Sequence, residues 1–183
     1  MTRRGSASFS RQHWNVSGLS QAVTLDGRSP LGRLYGTVCG STMGANALID
    51  TGAILALLDR TDRWHRICVD AFQQLRLPLV TSEGVLTELF HLVGDNRTEM
   101  ESAWKFLRSG ALELAVIEHA ELPQIHALMS RYWDRPMDFA DATLVHLARR
   151  EDLSTILTVD YADFETYRIE GRRRFRVLPV KRP

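Results

Sequence analysis

The sequence predicts an α/β domain on a central, mostly parallel sheet of about five strands. Two patterns carry that expectation. Short apolar stretches recur along the chain, separated by about 10–30 residues of helical periodicity, as βα units require. Two of those stretches are each followed at once by an aspartate, and parallel sheets gather their functional groups at the carboxyl ends of strands.

The elements follow in order. Residues 1–44 are rich in Ser, Gly and Arg and poor in apolar periodicity, so they are expected to lie outside the fold, with the domain over 45–183. No apolar stretch follows the early arginines, so a secretory signal is not expected there. Faint likeness to a transit peptide, or a start placed upstream of Met43, are the two readings of that segment. A first strand is expected over 47–49, ending at Asp50, then helical stretches over 54–58 and 64–75, with Ile67, Val69, Phe72 and Leu75 as the apolar positions of the second. A second strand over 77–80 leads to Thr81 or Ser82, either of which can cap a helix reaching Val93. Gly94-Asp95-Asn96 ends that helix, and another covers about 98–107. Strands are expected over 112–117, 155–159 and 175–180, and helices over 122–132 and 139–150.

Composition narrows the function classes. With 44% hydrophobic and 25% charged residues the chain reads as globular, and no apolar run approaches the ~20 residues of a membrane span. Cys39 and Cys68 form neither a CxxC nor a zinc pattern, so a reducing, cytoplasmic setting is the simpler expectation. The six histidines are scattered, and Glu88-x-x-His91 lacks the second Glu-x-x-His of a di-iron site. The net charge of +1 is too small for bulk attraction to a polyanion, so nucleic-acid binding would need a local patch or a metal. The final stretch offers such a patch around Arg172, Arg173 and Arg174, and a solvated basic tail explains it equally well.

The acids are more specific. Asp50 and Asp160 each follow a strand, where a helix-capping role is the ordinary explanation for one such residue. Asp141 shares its helical face with Leu144, Val145 and Ala148, and Glu88 lies three after Val85 and four before Leu92. Carboxylates turned toward apolar faces are costly unless a cation or donors meet them. No lysine or arginine stands at a fixed spacing beside either acid, and a shared divalent cation would compensate several acids at once. A set of carboxylates without His or Cys ligands suits a hard ion, Mg2+ or Mn2+, and such a centre suits hydrolysis of a phosphodiester by activated water. Asp138, three before Asp141, sits where a helix N-cap belongs, with an outer role at the metal also open.

In order, these residues resemble the PIN-domain nucleases, and among them the VapC-like toxins of bacterial toxin–antitoxin pairs. The matching segments are Leu48-Ile49-Asp50-Thr51-Gly52, Thr87-Glu88-Leu89, Phe139-Ala140-Asp141-Ala142 and Thr158-Val159-Asp160, the last followed by Asp163-Phe164. Gly52 departs from the small polar residue usual in the family. Spacings of 38 (50 to 88), 53 (88 to 141) and 19 (141 to 160) are natural for it, and the match covers about 46–180. The resemblance implies a three-layer α/β/α sandwich and metal-dependent endonucleolytic cleavage of RNA. Asp50, Glu88, Asp141 and Asp160 would be its catalytic and metal-binding acids. An antitoxin that blocks the site and a homodimer are the partners it implies. Thr51 and Thr158 match positions whose hydroxyls support the acids, though ordinary strand-end threonines would look the same. Asp163 matches a frequent family residue, and a turn aspartate explains it as well.

Three rivals remain at this level. Asp50-Thr51-Gly52 also fits the signature of aspartic proteases, which needs an all-β fold and, with one copy here, a homodimer. A PIN fold acting only as an RNA-binding scaffold is the second, and retention of all four acids argues against it. The third is a nuclease acting on DNA, because a carboxylate–metal centre does not itself read the sugar.

Overall fold

The computed structural model describes residues 46–180 except Pro136. Five strands form one sheet: β1 (Leu48–Ile49), β2 (Leu79–Thr81), β3 (Leu112–Leu114), β4 (Thr155–Leu157) and β5 (Arg176–Leu178). Their order is β3-β2-β1-β4-β5 and every pairing is parallel. Among the described residues seven α-helices connect them: α1 (Thr51–Leu58), α2 (His65–Phe72), α3 (Glu83–Val93), α4 (Arg97–Leu107), α5 (Leu122–Arg131), α6 (Phe139–Arg150) and α7 (Tyr161–Phe164). Every connection is a crossover between parallel strands, so helices cover both faces of the sheet, and α3 and α6 pack directly on each other. The result is the expected α/β/α sandwich. Among the described residues no helix is long and apolar enough to cross a membrane.

Central strands buried on both faces must be apolar throughout rather than alternating. Ala47, Leu48, Ile49, Leu79, Val80, Ile156 and Leu157 are all fully buried, which accounts for the short apolar runs in the sequence. The chain reverses its direction of travel across the sheet between β1 and β4, which pair through Leu48–Ile156 and Ile49–Leu157. Parallel sheets open a crevice outside the carboxyl ends of strands at such a switch. Asp50, next after β1, and Asp160, three residues past the end of β4, are therefore brought to the same crevice.

Several boundaries differ from expectation. The first helix begins at Thr51 rather than 54, because the Asp50 side chain caps it. The second is shorter, His65–Phe72 against 64–75. β3 stops at Leu114 instead of continuing to 117; it is an edge strand, and Val116 beyond it is exposed. β4 and β5 stop short of 159 and 180, and β2 runs Leu79–Thr81 rather than 77–80. Two single-turn pieces escaped the periodicity, α7 and a 3-10 turn at His119–Glu121, since one turn shows no repeat. The protease reading fails here: Asp50-Thr51-Gly52 is a strand-to-helix junction on a parallel sheet.

Candidate active site

Asp50 is the most buried acid of the group, 7% exposed. Its backbone N–H donates to Leu157 O, extending the β1–β4 ladder by one residue. One carboxylate oxygen accepts from Thr51 N at 2.6 Å and the other from the Thr158 hydroxyl at 2.7 Å. Burial drives its pKa up first; Thr158 and Thr51 oppose that, and the charges of Glu88 and Asp138 add to it, leaving about 7.

Asp141 lies in the first turn of α6 and is half-buried. The Tyr167 hydroxyl donates to its Oδ2 at 3.1 Å. Burial again comes first, then the charges of Asp50 and Asp138, against the Tyr167 bond, with Asp160 contributing further; its pKa reaches about 8. Glu88, on α3, accepts from the Thr51 hydroxyl at 2.8 Å, and that hydroxyl also approaches Val85 O. The expected inward stripe around Glu88 is half right: Val85 is fully buried, but Leu92 is 53% exposed. Asp160 donates its backbone N–H to the Thr158 hydroxyl at 2.9 Å and caps α7 by accepting from Asp163 N.

Thr51 and Thr158 therefore do more than end strands. Thr51 ties Asp50 to Glu88, and Thr158 ties Asp50 to Asp160. Asp138 caps α6 by accepting from Asp141 N at 2.8 Å, and its charge reaches Asp50 and Asp141. Asp163 is partly buried and its pKa is raised by that burial and by Asp160, with Arg135 pulling it back down.

The donor set is oxygen alone, and its members disturb one another at a distance that a divalent cation would neutralise. Among the described residues no three such side chains stand close enough to ligate one ion as placed. Asp160 is exposed and Glu88 and Asp141 are partly exposed, so solvent reaches three of the four acids, while Asp50 is buried. An all-oxygen donor set is the chemistry that suits a hard divalent ion.

The arginine patch falls elsewhere. Arg173 pairs with Asp152, ahead of the amino end of β4, on the opposite edge of the sheet from the acids. Arg172 and Arg174 are exposed beside it. Sequence reasoning missed Tyr167, which is fully buried yet reaches Asp141. It follows α7 in an irregular segment where no spacing marks it. Gly84 was missed too: a Cβ there would meet Ala140 Cα at 3.2 Å and the Phe139 ring at 3.2 Å, so glycine lets α3, which carries Glu88, close on α6, which carries Asp141.

Comparison with known proteins agrees with this architecture. Residues 47–169 match the family model for the PIN domain. Ribonuclease VapC26 of Mycobacterium tuberculosis is 36% identical over 135 residues, covering 72% of this chain and 99% of that protein. The crystal structure of Mycobacterium tuberculosis VapC20, described as a sarcin–ricin loop cleaving toxin, superposes with a TM-score of 0.59 at 19% identity, over 63% of this chain and 91% of that one. The last shows the fold alone, while the first two together reach over most of the described domain: the chain belongs to the PIN-domain family, as a VapC-like member.

Proposed function

We propose that the chain is a metal-dependent endoribonuclease in which Asp50, Glu88, Asp141 and Asp160 hold Mg2+ or Mn2+ and RNA is the substrate. The observation that carries this reading is the linkage of the acids at the carboxyl end of the sheet: Thr51 joins Asp50 to Glu88 and Thr158 joins Asp50 to Asp160, with burial first and neighbouring charges after it pushing Asp50 and Asp141 up to about 7 and about 8. A relative named as a ribonuclease supports RNA as the substrate class. When bound, a divalent cation supplies charge neutralisation of the phosphodiester and activation of water. The chain's own part is orientation. Thr158 and the Thr51 N–H fix Asp50, the Thr51 hydroxyl fixes Glu88, and Tyr167 fixes Asp141. Asp138 serves mainly as the α6 cap, and Asp163 adds negative charge beside Asp160.

In hydrolysis, the water oxygen joins phosphorus and the bond to the 3′ oxygen breaks, leaving a 5′-phosphate and a 3′-hydroxyl. The domain is taken as 45–183. Exposed Arg172 and Arg174 are available to RNA phosphates away from the cut, whereas Arg173 is engaged by Asp152. A cognate antitoxin covering the acid crevice, a homodimer and a cytoplasmic setting complete the reading. The test is cleavage of single-stranded RNA, with single-stranded DNA beside it, in Mg2+ or Mn2+. Cutting of RNA that stops in EDTA is expected. Undiminished activity in EDTA, or a 2′,3′-cyclic phosphate end, points to metal-free chemistry and ends this reading.

A further inference from the structure

Trp133 is 80% exposed, an unusual position for the largest apolar side chain. It stands in the turn between α5 and α6, in the run Arg131-Tyr132-Trp133-Asp134-Arg135. This turn is fastened to the acid crevice at two points. Tyr132 packs edge-on against Tyr167, ring centres 5.0 Å apart, and Tyr167 donates to Asp141. Arg135 donates to Ala162 O and to the Thr166 hydroxyl, and its charge acts on Asp163. Trp133 is thus one residue from a ring that touches a ring bonded to a site acid. Asp138 lies five positions further along the chain, a reach of at most about 18 Å. Phe139, 46% exposed, adjoins Asp138 from the other side in sequence and lies over Gly84 at the start of α3.

We infer that Trp133 is a substrate-binding residue on which an unpaired base of RNA stacks beside the acid crevice, with Phe139 as a second ring nearer the acids. The inference rests on the ribonuclease reading of that crevice. The surroundings decide between a base and a partner protein. Aromatic anchors of protein interfaces sit in apolar, desolvated patches. Trp133 instead has exposed Arg131 and Asp134 as chain neighbours, with the Arg135 guanidinium, held by Ala162 O and the Thr166 hydroxyl, two residues on. A ring interleaved with arginines is the composition of single-strand binding surfaces, where the ring takes a base face and the guanidinium groups meet phosphate.

The test uses the full chain carrying Asp141→Asn, so that RNA is bound without being cut, and follows the anisotropy of a short labelled single-stranded RNA. Trp133→Ala added to that chain should weaken binding about 5- to 100-fold, the range a lost base stack gives, while Trp133→Phe should recover most of it. An oligonucleotide with abasic positions should bind equally to the chains with and without the Trp133→Ala change. In the active chain, Trp133→Ala should raise KM and leave kcat nearly unchanged. Equal affinity of the Trp133→Ala chain for intact RNA overturns the inference. So does an equal loss on intact and abasic RNA, or a loss confined to binding of a protein partner. Because binding is read without cleavage, the two readings fail separately. A chain that cuts no RNA but shows the Trp133 series keeps the stacking site, and one that cuts RNA indifferently to Trp133 loses it.

Discussion

Asp138 and Asp141 lie three residues apart at the start of α6 and perform different tasks. Asp138 accepts a hydrogen bond from the Asp141 N–H, as an N-cap does, while Asp141 takes the Tyr167 hydroxyl and the charges of its neighbours. Asp138→Ala should cost about 0.5–2 kcal/mol of stability and leave substantial cleavage. Asp141→Asn should nearly abolish cleavage and raise the melting temperature without metal, because one member of a self-repelling group becomes neutral. Melting in EDTA and RNA cleavage in Mg2+ on both variants separate the roles, and a dead Asp138→Ala beside an active Asp141→Asn reverses the assignment. The distinction was legible in the sequence, since helical spacing alone puts Asp141 with Leu144, Val145 and Ala148 and leaves Asp138 ahead of the first turn. What holds the Asp141 carboxylate was not legible. Tyr167 reaches it across 26 residues from an irregular segment, and periodicity carries no information about such a contact.

At the scale of elements, the closest constraint lies where α1 meets the strand end after β4. A Cβ at Gly52 would stand 2.6 Å from Val159 Cγ2, too near for any real contact. Valine is branched at Cβ and cannot swing its methyl far without leaving its rotamer. The glycine that departs from the family pattern is thus matched by a filled space opposite it. Gly52→Ala should destabilise the domain: overpacking of about 1–3 kcal/mol outweighs the ~1 kcal/mol that alanine gains over glycine within a helix. In a Val159→Ala background the same change should become neutral or stabilising, and urea unfolding of the four proteins measures that coupling. Additive effects would show that Val159 is not what glycine accommodates. Element existence was readable because apolar runs and caps are local: Ser82 caps α3 and Asp138 caps α6 as the sequence suggests. Strand ends were not, because where pairing stops depends on the neighbouring strand, as at edge strand β3.

At the scale of the whole molecule, the crevice and a distant ion-pair group set opposite pH dependences. Asp50 and Asp141 have folded pKa values of about 7 and about 8, above the 3.8 of the free group. Between those limits the unfolded chain has released protons that the folded chain retains, so stability without metal falls as pH rises, and the penalty is complete only above about pH 8. Each group contributes a slope of order 1 kcal/mol per pH unit within that window. Glu121 acts in reverse. Burial would raise it, but hydrogen bonds from His146, the Glu118 N–H and Arg150 overcome that and hold it at about 2. Its contribution is present above its free value of 4.5 and is lost as pH falls toward 2. In EDTA the melting temperature should therefore peak near about pH 4 and decline toward about pH 8, and Asp141→Asn should flatten the decline. Adding Mg2+ should offset the loss most at the alkaline end, because a cation binds the ionised carboxylates. Thermal unfolding across that range, with and without metal, reads both effects. A melting temperature that climbs steadily from about pH 5 to about pH 8 in EDTA would show that the acids of the crevice do not burden the folded state, removing the electrostatic argument for a cation there.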